Sequence, residues 1–292
     1  MAAGMIGTSQ AYGNDDEVSR DHGWGGLVML WLPGELCEEP GRALQTLVEG
    51  LPRTFDGHPA CCQLCRFDQL LERTVGCSGP PERLLDWLRI PEQYLFEVAY
   101  APVFYDPGGE VTQRLRAFGQ YPEDVRLHRL CAHLEWLAEW GLKHLTRTER
   151  RGDEVTAALQ WSRFSVQAMQ VGFALSGRYA PYHKWLWREF SKLPAPCGQV
   201  ASLLQEGFSL CSRSDVVREI VQVYRVQLDR LGYIPAAPTP EQMAKMAYPE
   251  TAELLSYVRA IRAEIADEDI RALGGNLVLL MPAFRPPPYD GW

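Results

Sequence analysis

The chain changes its hydrophobic period once, at Tyr121-Pro122, and that change limits it to two kinds of architecture joined in series. Ahead of it, short apolar runs alternate with Gly and Pro punctuation. Leu27-Val28-Met29-Leu30-Trp31-Leu32 is a compact apolar run stopped by Pro33-Gly34, which predicts a buried strand. Arg42 to Leu51 carries Leu44, Leu47, Val48 and Leu51 on one helical face. Pro59 to Phe67 predicts a second strand and Pro81 to Leu88 a short helix. Tyr94 to Tyr105, rich in aromatic and β-branched residues, predicts another strand, closed by the turn Asp106-Pro107-Gly108-Gly109. Strands alternating with helices give a sheet-and-helix domain over residues 1–118.

Behind Tyr121-Pro122 the period is helical throughout. Val125 to Leu145 carries Leu127, Leu130, Leu134, Leu137 and Trp140 in register, and Glu154 to Leu175 carries Val155, Leu159, Phe164, Met169 and Phe173. Further helices are predicted at Tyr182–Leu193, Val200–Leu210, Ser214–Leu231, Pro240–Met246 and Glu250–Ala266. Residues 119–281 therefore form an all-helical domain, and the four prolines of residues 282–292 predict an extended tail on the surface.

Charge and cysteine content narrow the function classes. The 29 basic residues against 37 acidic ones leave a net charge of −8, which argues against a nucleic-acid coat or a binder of anionic membranes. No apolar run reaches the ~20 residues of a membrane span. Met1 to Gly13 lacks the charged-then-apolar layout of a signal peptide, so the expected location is the cytoplasm. Eight irregularly spaced cysteines fit reduced, mostly buried thiols rather than a disulfide framework.

The stretch richest in chemistry is Thr8-Ser9-Gln10-Ala11-Tyr12-Gly13, followed by Asp15 and by Ser19-Arg20-Asp21-His22-Gly23-Trp24-Gly25. A small-residue turn with a hydroxyl, then an acidic residue entering a strand, is a phosphate-plus-metal layout: backbone N–H groups cradle phosphate oxygens and the carboxylate holds Mg²⁺. An ordinary Gly and Ser loop reads the same way. Gly13 to Gly25 resembles the signature of a nucleotidyltransferase-like family of uncharacterised proteins (domain-of-unknown-function family four-zero-three-seven). Val103-Phe104-Tyr105-Asp106-Pro107-Gly108-Gly109 with Arg114 and Tyr121-Pro122 forms a second similar block. Arg178-Tyr179-Ala180-Pro181-Tyr182-His183-Lys184-Trp185, preceded by Arg151-Gly152-Asp153-Glu154, forms a third, so the resemblance spans residues 1–195.

The resemblance implies an α+β, mixed-sheet nucleotidyltransferase-like domain of the polymerase-β type, short at its N-terminal end, with the helical domain closing over a cleft. It implies transfer of a nucleoside monophosphate, AMP from ATP foremost, to a small-molecule acceptor with Mg²⁺ or Mn²⁺. Carried onto this sequence, Thr8 and Ser9 take the Gly-Ser position that, with Gly13, Arg20 and Tyr179, would bind the triphosphate. Asp21 is the first metal carboxylate and Asp106 the candidate for the third, while His22, Tyr182 and Lys184 are acid–base or phosphate-contacting candidates. Two positions depart from the pattern. Gly23 stands where the second carboxylate belongs, and Thr8 replaces the glycine that gives backbone its closest approach to phosphate. The alternative is a catalytically degenerate pseudo-nucleotidyltransferase whose cleft binds a small metabolite or performs different acid–base chemistry on it.

Competing motifs are thin. Cys62-x-x-Cys65 near His58 and Cys61 has metal-like spacing, but no second pair completes a zinc site, so zinc is not expected. His128, His133 and His144 are spaced by five and eleven rather than by the four of a helical metal pair. No nucleophile elbow, Walker loop or dinucleotide fingerprint occurs. The apolar segment Leu277–Met281 has two places open to it, the chain's own core or a second subunit of a homo-oligomer.

Overall fold

The computed structural model of the chain describes residues 1–18, 25–32, 38–235 and 249–273. The chain divides into two units, Met1–Gln120 and Tyr121–Met281. In the first, β1 (Ala2–Gly4), β2 (Gly26–Leu32), β3 (Thr54–Phe55), β4 (His58–Arg66) and β5 (Val103–Tyr105) form one sheet in the order β3-β4-β2-β1-β5. β2 runs parallel to β4 from Gly26↔Ala60 to Leu32↔Arg66, while β1 is antiparallel to both β2 and β5, so the sheet is mixed. The class is the α+β expected from the sequence. Leu27, Met29 and Trp31 alternate into the core along β2, and Trp31 packs on Phe67 at 5.4 Å between ring centroids. Gly4 makes this possible: a Cβ there would run into the Trp31 ring and the Pro102 carbonyl oxygen.

Five helices flank the strands: α1 (Glu38–Glu49), α2 (Phe67–Val75), α3 (Leu84–Leu88), α4 (Glu92–Ala99) and α5 (Glu110–Gly119). The strand predicted over Tyr94–Tyr105 is corrected by α4, which leaves only Val103–Tyr105 as strand. Tyr94, Phe96, Val98 and Tyr100 alternate as a strand would, but Pro91 takes the N-cap with φ −57° and Glu92 opens the first turn, a helix start that outweighs β propensity. Leu95, Phe96 and Val98 are then buried from a helix rather than a strand.

In the described residues of the second unit there are helices and no strands. α6 (Glu123–Leu137) continues through a π-helical stretch, Ala138–Leu145, into α7 (Thr146–Arg150). There follow α8 (Glu154–Leu175), a 3-10 turn at His183–Trp185, α9 (Leu186–Phe190), α10 (Cys197–Gly207), α11 (Ser214–Arg230), α12 (Pro249–Ala263) and α13 (Glu268–Ala272). α8 starts sharply because the Asp153 carboxylate accepts the Thr156 N–H at 3.0 Å. Trp161, Phe164, Phe173, Phe190 and Tyr224 fill this core, and the Tyr224 hydroxyl donates to the Ala168 carbonyl at 2.5 Å. No helix among the described residues is long and apolar enough to cross a membrane. The helix predicted at Pro240–Met246, the segment Leu277–Met281 and the tail 282–292 lie outside the described residues.

Candidate functional site

The small-residue turn sits at the end of β1. Gly7, with φ 82°, carries the chain out of the strand, and Ser9–Tyr12 forms one 3-10 turn closed by Gly13 at φ 65°. Backbone bonds from Ala11 N–H to Thr8 O (3.1 Å) and from Asn14 N–H to Ser9 O (2.9 Å) fix its shape. The Gln10 side-chain amide donates to the carbonyl of Gly25, the residue just before β2. The Thr8 hydroxyl oxygen is buried and has no hydrogen-bond partner. Arg20, Asp21, His22 and the substituted position Gly23 lie outside the described residues.

Asp106 is not brought to that turn. β5 pairs antiparallel to β1, with Tyr105 opposite Ala3 and Val103 opposite Gly4, so Asp106 follows the strand end beside Met1. Gly7 to Ser9 leave the other end of β1, and at ~3.3 Å per residue the two positions stand roughly 10–15 Å apart. Asp106 instead organises α5: its carboxylate accepts the Thr112 N–H at 2.8 Å. Partial burial pushes this carboxyl up, but hydrogen bonds from Thr112 and Gly109 and the charge of the Met1 amine outweigh it and hold the group below its ordinary value. Among the described residues no three His, Cys, Asp or Glu side chains gather as a metal site.

The remaining candidates belong to the helical unit. Tyr179 is buried, with its ring 4.2 Å from that of Tyr121, so it is a core side chain and its face is not offered to a nucleobase. Tyr182, His183 and Lys184 are exposed, and the Lys184 ammonium lies 5.0 Å from the Trp185 ring centroid, where the guanidinium of Arg188 also approaches at 5.7 Å. This is a cationic and aromatic surface able to meet an anion. Gly152, Asp153 and Glu154 of the Arg151–Glu154 block border a cavity of 440 Å³ also lined by Glu149, Ser212 and Arg218. Its carboxylates do structural work: Asp153 caps α8, and Glu149 accepts the Arg213 N–H at 2.6 Å and the Ser212 hydroxyl at 3.2 Å.

The histidines are engaged separately. His133 meets Gln167 at 2.9 Å, His144 meets Glu139 at 2.8 Å, and His128 is buried with its pKa pushed down to about 4, by burial first and then by Arg262, Arg129 and His133. Cys62 and Cys65 stand an odd number of residues apart on β4 and so face opposite sides of it, and burial raises the Cys65 thiol to about 11.

Sequence reasoning missed Glu97. α4 lies against the turn: its Phe96 ring meets Tyr12 edge-on at 5.0 Å, and a Cβ on Gly7 would stand 3.7 Å from Glu97 Oε2. Burial alone raises the Glu97 carboxyl from 4.5 to about 7. The signal was present in Pro91-Glu92-Gln93, a helix start, which turns the 94–99 segment and brings Glu97 to the turn.

Residues 87–186, about a third of the chain, match the model of a protein family, the domain of unknown function DUF4037. The match contains the Val103–Gly109 and Arg178–Trp185 blocks and leaves the Thr8–Gly25 stretch outside it. No curated protein matches the chain. Among solved structures, a nucleotidyltransferase-like protein from Exiguobacterium sibiricum 255-15 is similar at 11% identity over 81% of this chain and 77% of that one, with a TM-score of 0.33. At that score the likeness assigns nothing to individual residues.

Proposed function

We infer that this chain transfers a nucleoside monophosphate, AMP from ATP in the first instance, to a small-molecule acceptor. The triphosphate lies at the Gly7–Ser9 turn. The observation that carries this reading is the Gln10 hydrogen bond to Gly25, which brings that residue, just before β2 and four residues after Asp21 in sequence, beside a turn whose buried Thr8 hydroxyl has no partner. A phosphate oxygen would accept from that hydroxyl and satisfy it. Mg²⁺ or Mn²⁺ belongs to the proposal with Asp21 as its protein ligand; bound there, the ion would neutralise triphosphate charge. The described residues do not complete its donor set, because Asp106 stands at the other end of β1 and Gly23 has no carboxylate.

That same incomplete donor set favours a second reading, a pseudo-nucleotidyltransferase whose turn still binds a phosphorylated ligand without transferring nucleotide. Thermal unfolding with each nucleoside triphosphate, with and without Mg²⁺, separates the two when combined with pyrophosphate release. A ligand at a hundred times its dissociation constant adds ~2.7 kcal/mol to stability. Metal-dependent stabilisation with pyrophosphate release supports transfer. Stabilisation without release supports the degenerate reading, and no stabilisation by any triphosphate removes the transfer reading and leaves the degenerate one only with a phosphorylated ligand of another kind.

A further inference from the structure

We propose that Glu97 is the proton acceptor of this site, taking the proton from the acceptor hydroxyl or amine as it attacks the nucleotide; the assignment rests on the transfer reading above. Its first support is position. α4 meets the turn through Phe96, whose ring packs edge-on against Tyr12, and the next residue, Glu97, brings its Oε2 to 3.7 Å from where a Cβ on Gly7 would stand. The absence of a side chain at Gly7 leaves the carboxylate facing backbone, with space that a Cβ would fill. The second support is what Glu97 lacks. It forms no hydrogen bond or ion pair among the described residues, although a partly buried carboxylate without a partner costs folding free energy. The third is the neighbouring Thr8 hydroxyl, also buried and unpartnered. A buried hydroxyl without a partner and an unpaired carboxylate on adjoining segments define a place for a polar ligand.

Burial sets the proton affinity of Glu97 near neutrality, where a general base works best. The helices packed on α4 are α2 and α5, whose charged groups are Asp68, Glu72, Arg73, Glu110, Arg114 and Arg116. Arg114 and Asp68 pair with each other at 2.8 Å, and burial alone accounts for the Glu97 shift. In the transfer step the acceptor oxygen or nitrogen forms a bond to the α-phosphorus. The bond from that phosphorus to the bridging oxygen breaks, and pyrophosphate leaves with the electron pair. The acceptor's proton passes to a Glu97 carboxylate oxygen and returns to solvent after the product departs.

The test uses the full chain with ATP and Mg²⁺, with water as the acceptor and pyrophosphate release as the readout. Glu97→Gln is expected to lower release about a hundredfold or more and to flatten a wild-type profile that rises about tenfold per pH unit up to about pH 7. Its thermal stabilisation by Mg²⁺–ATP should remain as in the wild type. Release within about threefold of wild type, with the same pH inflection, overturns the assignment while leaving the transfer reading intact. Loss of the Mg²⁺–ATP stabilisation also overturns it, since Glu97 would then hold the nucleotide rather than take a proton. A wild type that releases no pyrophosphate removes the transfer reading and this assignment with it. NMR of glutamate labelled at the side-chain carboxyl gives a readout free of turnover: a Glu97 midpoint in the ordinary carboxylate range overturns the proposal.

Discussion

Glu97 in the sheet-bearing unit and His128 in the helical unit are driven by burial in the same direction, toward the uncharged form, but they sit in different kinds of surroundings. His128 is 2% exposed, inside packed helices, with the charges of Arg262 and Arg129 adding to the effect of burial. Glu97 stands at the margin of its core against a glycine, with no neighbouring charge contributing. The difference separates a residue of the packing from a residue a ligand can reach. It also reverses the pH dependence of the two units.

The helical core is tightly filled, and the largest expected effect tests that. Phe164 is fully buried, and a Cβ on Gly141 would strike its ring, so nothing there is free to collapse into a void. Phe164→Ala should cost ~3–5 kcal/mol in urea unfolding; a loss under about 1 kcal/mol would show a core that repacks easily. The two titrations come next. Glu97 has a folded pKa of about 7 against an ordinary 4.5, so its stabilising contribution is complete below pH 4.5 and is lost as pH rises through 7. Glu97→Gln should therefore gain on the wild type by roughly 2–4 kcal/mol between pH 5 and pH 8. His128, at about 4 against 6.5, contributes fully above pH 6.5 and loses that contribution as pH falls through 4. His128→Gln should accordingly flatten the acid side of the stability profile and leave the neutral side unchanged in slope. Matching slopes for both variants would erase the contrast drawn here.

Smaller effects sharpen it. Asp267 caps α13 by accepting the Ile270 N–H at 2.9 Å, and Asp267→Ala should lower stability by ~1 kcal/mol. Lys184 is exposed and forms no ion pair among the described residues, so Lys184→Ala should leave stability within ~0.5 kcal/mol.

Much of the fold was legible because period and punctuation agreed. Leu27–Leu32 between Gly26 and Pro33, and the long register from Val125 to Leu145, each admit one reading. Residues 94–105 admitted two, since alternation and helical spacing coincide over so few aromatics, and only Pro91-Glu92 distinguished them. The site was less legible for a related reason. Asp106 lies close after a strand in sequence, but which end of the sheet it occupies depends on β5 pairing antiparallel to β1, a long-range fact no local pattern carries. Tyr179 shared its aromatic spacing with exposed Tyr182, and only tertiary packing on Tyr121 told them apart.

The order β3-β4-β2-β1-β5 places short strands at both rims: β3 spans two residues and β5 three. A neighbouring chain seeking to lengthen this sheet beyond β5 would find only a three-residue stub of backbone, too little to template strand addition, whereas β3 covers only His58 and Pro59 and leaves the rest of the outer edge of β4 without a strand partner among the described residues. Strand-by-strand association is thereby blunted at the β5 rim, and the outer edge of β4 is the side of this sheet where backbone pairing with another chain has room to start.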